Sequence, residues 1–261
     1  SHFVRLDLPF LRKCMGGVCR MAAQRGYDLL LCYADERDTA QLRRQLAARK
    51  VDGVILSRTL VNDPCLELVR QYAAPCVGIG RLADETALQV DNDQVGAARE
   101  LTTRLLQMGL RRIALLSGRL NYTVNVDRLA GFRQALAACG AAEEPGLIFT
   151  GVESEDGRVD ALEAALEQRP EAILCCDDSL AFSLLKDLRA RGVDVPGQLR
   201  LASLYDSEIL QDAVPPITAV QFDAETLGAT ACRMLLDAMA GKHIPPRQVL
   251  GYQVILREST K

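Results

Sequence analysis

Residues 172–192 read Ala-Ile-Leu-Cys-Cys-Asp-Asp-Ser-Leu-Ala-Phe-Ser-Leu-Leu-Lys-Asp-Leu-Arg-Ala-Arg-Gly. The unbroken apolar run from Ala172 to Cys176 is the pattern of a strand covered on both faces, because a strand with one wet face would alternate. Three short polar residues follow, and then Leu180, Ala181, Leu184, Leu185 and Leu188 recur at helical spacing. The pattern stops at Gly192, which can take the positive φ required just past a helix end at no steric cost. One βα unit is written here.

The same unit repeats outward in both directions. Met15, Val18, Cys19 and Ala22 share a helical face and stop at Gly26, ahead of the strand-like run Leu29 to Tyr33. Ala98, Leu101, Leu105 and Met108 stop at Gly109, and Leu129, Phe132, Leu136 and Cys139 stop at Gly140. Leu227, Ala231, Met234, Leu235 and Ala238 stop at Gly241. Between these helices lie further apolar runs, Gly53 to Leu56, Cys76 to Ile79, Ile113 to Leu116 and Arg200 to Leu204. So many βα units exceed one small open sheet, and the expected architecture is α/β with two doubly wound parallel-sheet lobes. No Ser- or Gly-rich linker separates them, so several short crossings are expected.

The 261 residues, 49 % apolar and 25 % charged, describe an ordinary globular chain with ample length for a core. No stretch approaches the ~20 apolar residues of a membrane span, and no basic-then-apolar leader opens the sequence. A net charge of −3 lacks the basic excess that a nucleic-acid-binding domain uses against phosphates, so any grip on DNA must come from another part of the protein. Nine cysteines without a Cys-x-x-Cys pair disfavour both a disulfide framework and a zinc site, and a reducing cytoplasm is the expected location.

In an open parallel sheet the ligand lies beyond the carboxyl ends of the strands, and the residues there are polar. Asp7, Ser57 with Arg58, Arg81, Asp91 to Asp93, Ser117 with Arg119 and Asn121, Asp177 to Ser179, and Tyr205 to Ser207 each follow an apolar run. Carboxylates and guanidinium groups beside the aromatic faces of Phe10, Tyr122 and Phe222 suit a sugar-like polyol. Asp and Ser ahead of a helix are also ordinary N-caps, and Asp178 and Ser179 are read that way. Arg128 is read as opening a helix, against the dipole, so a partner outside that helix is expected.

Other chemistries fall away. Gly78-x-Gly80-x-x-Ala83 follows a strand, but no helix follows to hold a pyrophosphate. Asp91-Asn92-Asp93 begins like a calcium loop, yet Val95 and Thr102 stand where oxygen ligands are needed. No Gly-Lys-Ser/Thr phosphate loop is present. His2 and His243 are the only histidines, too few for an easily assembled catalytic triad or histidine metal site. No catalytic residue, metal or cofactor is expected.

Several segments, taken in order, resemble the effector-binding core of the lactose-repressor (LacI/GalR) type transcription regulators. Val51-Asp52-Gly53-Val54-Ile55-Leu56 is similar to the family's Val-Asp-Gly-Ile-Ile strand, and Val90-Asp91-Asn92 with Gly96-Ala97-Ala98 to its next landmark. Gly109 to Ala114, Arg128-Leu129-Ala130-Gly131-Phe132, Pro215-Pro216-Ile217-Thr218 and Arg257-Glu258-Ser259-Thr260 complete the series. The resemblance implies a periplasmic-binding-protein-like fold, two lobes with a ligand cleft between them and three chain crossings. It puts residues 1–107 with 222–243 in the N-terminal lobe and 108–221 with 244–261 in the other. By position, Asp91, Arg128, Asp177 and Asp206 match effector-contacting residues, while Phe10, Tyr122, Val152 and Phe222 match pocket-lining ones.

Three departures bear on the effector. Asp177 replaces a usual Asn, Val152 stands where some relatives carry an aromatic, and Leu204-Tyr205-Asp206-Ser207 replaces Gly-Phe/Tyr-Asp-Asp. Three carboxylates favour a neutral or amino-substituted sugar over a phosphorylated one. The implied partners are a small sugar-like effector, a second copy in a homodimer, and operator DNA through a helix-turn-helix missing from this chain, with repression as the expected sign. A transport-type sugar-binding protein shares the fold and is the alternative. An enzyme would need a poised acid or base, and the one tight carboxylate pair, Asp177 with Asp178, reads as pocket plus cap.

Overall fold

The computed structural model describes residues 9–261, so the run that ends at Asp7 lies outside the described residues. Contacts divide the chain into two compact units, 1–92 with 223–250 and 93–222 with 251–261. The first opens with α1 (Pro9–Gln24), α2 (Ala40–Ala47), β1 (Val54–Ser57), α3 (Pro64–Gln71), β2 (Cys76–Ile79) and β3 (Gln89–Asn92). The second takes α4 (Gln94–Gln107), β4 (Ile113–Leu116), α5 (Thr123–Ala138), β5 (Ile148–Phe149), α6 (Glu155–Glu167), β6 (Ala172–Cys175), α7 (Asp178–Ala190), β7 (Arg200–Ser203), α8 (Glu208–Gln211) and β8 (Thr218–Gln221). The chain returns to the first unit for α9 (Ala224–Met239) and β9 (Arg247–Leu250), and then to the second for β10 (Gln253–Ile255).

The apolar runs supply β1, β2, β4, β6 and β7, while β3, β8, β9 and β10 carry polar residues as well. In the first unit four strands run parallel in the order β1-β2-β3-β9. In the second the order is β10-β8-β7-β6-β4-β5, parallel throughout except for β10, which pairs antiparallel with β8. Leu115, Leu116, Ile173, Leu174 and Leu201 are fully buried in the second sheet because helices cover both of its faces. Val77, Val90, Leu227, Ala231 and Met234 form the corresponding core of the first. The five helix-closing glycines, Gly26, Gly109, Gly140, Gly192 and Gly241, all take positive φ.

Three expectations need correction. Leu29 to Tyr33 forms no strand: its residues pair with no ladder among the described residues, and Leu29, Leu30 and Leu31 are 43–54 % exposed. An apolar run shows that a segment can join a sheet, not that a neighbour is present. The first crossing falls at 92/93 rather than 107/108, because α4 packs along α5 and touches β8 and β10. The last falls at 250/251 rather than 243/244, because β9 extends the first sheet by pairing with β3. Phe222 correspondingly belongs to the second unit.

Candidate functional site

The second sheet has a topological switch point. From β4 the chain goes outward to β5, then crosses back to start β6, β7 and β8 on the other side, so the crevice lies at the carboxyl ends of β4 and β6. Ser117 follows β4 directly and is fully buried, with a hydroxyl that finds no partner among the described residues. Cys176 and Asp177 follow β6. Arg128 spans the switch point from α5: it donates to the Cys176 carbonyl, and its Nε donates to Oε1 of Gln94 at 2.9 Å.

Arg128 is only 7 % exposed and does not open its helix, which begins five residues earlier at Thr123. The argument from the dipole therefore does not apply. The partner outside the helix is nevertheless there, in Gln94 and the Cys176 carbonyl. Gln94 is the first residue of α4, set in place by its N-cap Asp93, whose carboxylate accepts from the Gly96 amide at 2.8 Å.

The cap in the aspartate pair is Asp177 and not Asp178. Asp177 is the N-cap of α7 and accepts from the Leu180 amide at 2.8 Å, while its second oxygen accepts from the Cys176 thiol at 3.3 Å. Asp178 is helical, 3 % exposed, and accepts from the Ser179 amide at 2.9 Å. Burial raises its pKa above the ordinary carboxyl value, and the neighbouring Asp177 charge raises it further. Burial, with the Asp177 charge second, also pushes the Cys175 and Cys176 thiols well up, so neither is a ready thiolate.

Beyond β7 the loop is held from several sides. The Ser203 hydroxyl donates to the Tyr205 carbonyl at 2.7 Å. The Tyr205 ring stacks on Phe222, centroids 6.4 Å apart, and Phe222 meets Tyr252 edge-on at 6.3 Å. Burial first, then a hydrogen bond to Glu100 and the charges of Glu100 and Asp93, raise the Tyr252 phenol to about 12. Asp206 caps no helix. Its carboxylate accepts two bonds from the Arg257 guanidinium, at 2.8 and 2.6 Å, and one from Gln211 at 3.3 Å.

Tyr122 is the N-cap residue of α5, with the Arg119 guanidinium 5.6 Å from its ring centroid. Val152 follows β5, packs against the core of the second unit, and donates its amide to the Ser117 carbonyl at 3.0 Å. The second unit thus brings Arg128, Asp177, Asp206 and Phe222 to the ends of neighbouring strands, with Tyr122 and Val152 on the loops after β4 and β5. In the first unit Asp91 is the third residue of β3, buried, and accepts from the Asn92 amide at 2.7 Å. Phe10 packs in that unit against the core made by β2, β3 and α9. Among the described residues no group of three His, Cys, Asp or Glu could hold a metal ion.

Gln94, Tyr252 and Arg257 are parts of this arrangement that the sequence does not mark. Tyr205 is marked, since it follows an apolar run. Gln94 and Arg257 act across 34 and 51 residues of sequence, a distance that periodicity does not carry.

Residues 102–260 match the family model of the periplasmic binding protein-like domain. The chain is 31 % identical to the HTH-type transcriptional regulator CelR of Thermobifida fusca, over 96 % of this chain and 76 % of that protein. It is 27 % identical to the HTH-type transcriptional repressor CytR of Escherichia coli K12, over 97 % and 76 %. The structure of the transcriptional regulator CelR-cellobiose complex superposes with a TM-score of 0.90 at 32 % identity, covering 98 % of this chain and 80 % of that one. With the doubly wound fold, the strand-end cluster and these likenesses in agreement, the chain belongs to the LacI/GalR family of transcription regulators, of which it forms the periplasmic-binding-protein-like effector-binding core.

Proposed function

We propose that Arg128, Asp177, Asp206, Phe222, Tyr122 and Val152 of the second unit contact a small neutral sugar, and that a β-linked glucose disaccharide such as cellobiose is the first to test. The observation that carries this is the switch point itself. A guanidinium held to the Cys176 carbonyl and the Asp177 carboxylate stand at the end of β6, the buried Ser117 hydroxyl without a partner follows the neighbouring β4, and Tyr205 stacks on Phe222 after β7 and β8. Hydroxyl pairs suit such donors and acceptors, and ring faces suit the apolar side of a pyranose. Cellobiose enters through the related complex at 32 % identity.

The protein is a LacI-type regulator whose effector controls operator binding by a dimer, and a transporter's binding protein is not favoured because the relatives are helix-turn-helix regulators. Control requires linkage: the sugar shifts the conformational balance only by the difference in its affinity for the two states. We infer that the site performs no catalysis, since Asp177 caps α7 and Asp178 is a buried residue of that helix, which leaves neither as a poised base. A cytoplasmic location follows from work on operator DNA, and among the described residues no helix is long and apolar enough to cross a membrane.

Calorimetric titration with cellobiose, glucose and a phosphorylated cellobiose tests the reading. The neutral disaccharide is expected to bind. Tight binding of the phosphorylated sugar with none of its parent would overturn it.

A further inference from the structure

The segment Arg257 to Thr260 is stitched into the second unit far more tightly than a surface strand end requires. The Ser259 hydroxyl accepts from the Thr218 amide at 2.9 Å and donates to the Leu201 carbonyl at 2.6 Å, bridging β8 and β7. The Thr260 and Thr218 hydroxyls are 2.6 Å apart, and the Arg257 amide donates to Thr218 Oγ1 at 2.8 Å. Ser259 and Thr260 are buried. These bonds fix the backbone of Arg257, and its side chain then reaches the loop that leaves β7. There it forms the two-pronged bond to Asp206 and a third bond, at 2.6 Å, to the Ile217 carbonyl.

The Asp206 side chain is 1 % exposed and that of Arg257 is 14 % exposed. A planar guanidinium bonded through both terminal nitrogens fixes the plane of a carboxylate as well as its position. A carboxylate has about four acceptor directions. Arg257 takes two and Gln211 a third, so the carboxylate is oriented with little acceptor capacity to spare. Tyr205, one residue back, stacks on Phe222. The orientation of the whole β7–α8 loop is thereby tied to a residue that itself sits beyond β10.

We propose that Arg257 is a positioning residue for effector capture: anchored by Ser259 and Thr260 on β7 and β8, it fixes Asp206 and the loop 204–207 in the one conformation that receives the sugar. This rests on the reading that the loop lines the effector site. A motif that looks like a mere strand ending is, on this account, part of the binding apparatus.

Two measurements separate the parts. Hydrogen exchange is followed in the unliganded chain for Arg257→Gln, Arg257→Lys, Asp206→Asn and the Asp206→Asn/Arg257→Gln pair, and calorimetry with cellobiose is run on each. Calorimetry is needed because the chain has no tryptophan to report binding. Arg257→Gln is expected to speed exchange across 205–211 while β6 and α7 keep their protection. It should also weaken cellobiose by about tenfold, the scale of one charge-assisted hydrogen bond made unproductive. Lysine keeps the charge but not the fork, so it should restore part of both effects, and the double variant should be no weaker than Arg257→Gln alone.

Unchanged exchange at 205–211 in Arg257→Gln overturns the proposal. So does faster exchange with wild-type cellobiose affinity. If Asp206→Asn binds as wild type, or the wild type takes no cellobiose, the effector reading fails, while exchange still decides whether Arg257 holds the loop. Should Arg257→Gln not fold, Arg257→Lys carries the same comparison.

Discussion

Arg128 and Gln94 meet end to end in the interior of the second unit, the arginine Nε donating to the glutamine Oε1 at 2.9 Å, with both residues under 8 % exposed. A guanidinium has five donors and no acceptor, so each acceptor aimed at it fixes one direction of its plane. Gln94→Ala removes one such acceptor in a buried setting and is expected to lower unfolding stability by about 1–3 kcal/mol. If the plane of Arg128 matters to the effector, sugar affinity falls by about tenfold, ~1.4 kcal/mol, in the same variant. Urea unfolding and calorimetry read the two losses separately.

The first unit depends on a close crossing of α1 and α9. A Cβ on Gly17 would stand 2.0 Å from the Glu225 carbonyl oxygen, and one on Gly228 would stand 2.0 Å from that of Cys14. Both obstacles are backbone, which cannot turn aside as a side chain can. Gly17→Ala and Gly228→Ala are each expected to cost roughly 1–3 kcal/mol by forcing the helices apart. Once the helices have separated, the second methyl costs less, so the double variant should fall short of the sum. Gly140 is the control, with φ +63 and open space around it, where alanine should cost only about 1 kcal/mol of backbone strain. Denaturation midpoints of the four variants decide it.

What the sequence shows about this protein follows from what a one-dimensional pattern can carry. Helix ends were legible because the five terminal glycines answer a local demand for positive φ. Buried parallel strands were legible because a sheet covered on both faces needs unbroken apolar runs. Leu29 to Tyr33 misled because that pattern does not reveal a pairing partner. Asp177 rather than Asp178 is the cap because helix α7 starts two residues before its first leucine, and one residue is enough to move a carboxylate from cap to core. Gln94 and Arg257 were invisible, since nothing local distinguishes a glutamine after a cap, or an arginine after a strand, from its solvated counterparts.

Glu171 gives the protein an acid-sensitive joint. Its carboxylate accepts from the Arg111 amide at 2.5 Å and the Arg112 amide at 2.9 Å, joining the starts of β6 and β4. Those two bonds hold it below the ordinary range of 4.5, with the Arg111 and Arg200 charges helping and burial opposing. A carboxylate with a lowered folded-state value stabilises above its unfolded value and loses that contribution as pH falls through the folded one. Glu171→Gln should therefore cost stability at pH 7, and the gap to wild type should close as unfolding is followed down below pH 4.5. A gap independent of pH would mean that the two amide bonds do not depend on the charge.

Asp178 works in the opposite sense. Burial raises its value above 3.8, so between the unfolded and folded values the native chain binds the extra proton. Stability contributed by that proton is complete below the unfolded value and is lost as pH rises through the folded one, so at pH 7 the buried charge is a standing cost. Asparagine keeps an acceptor for the Ser179 amide and carries no charge. Asp178→Asn should unfold at higher urea than wild type at pH 7, and that advantage should shrink as acidification passes the folded value, because the wild-type carboxyl then becomes neutral as well. Equal midpoints at pH 7 would show that the buried charge carries no such cost, and an advantage growing towards low pH would reverse the sign assigned to the group. Because Ser207 stands next to Asp206, the same variant also reports on the site: sugar affinity that follows the Asp178 titration would tie the buried acid to the loop that Arg257 holds.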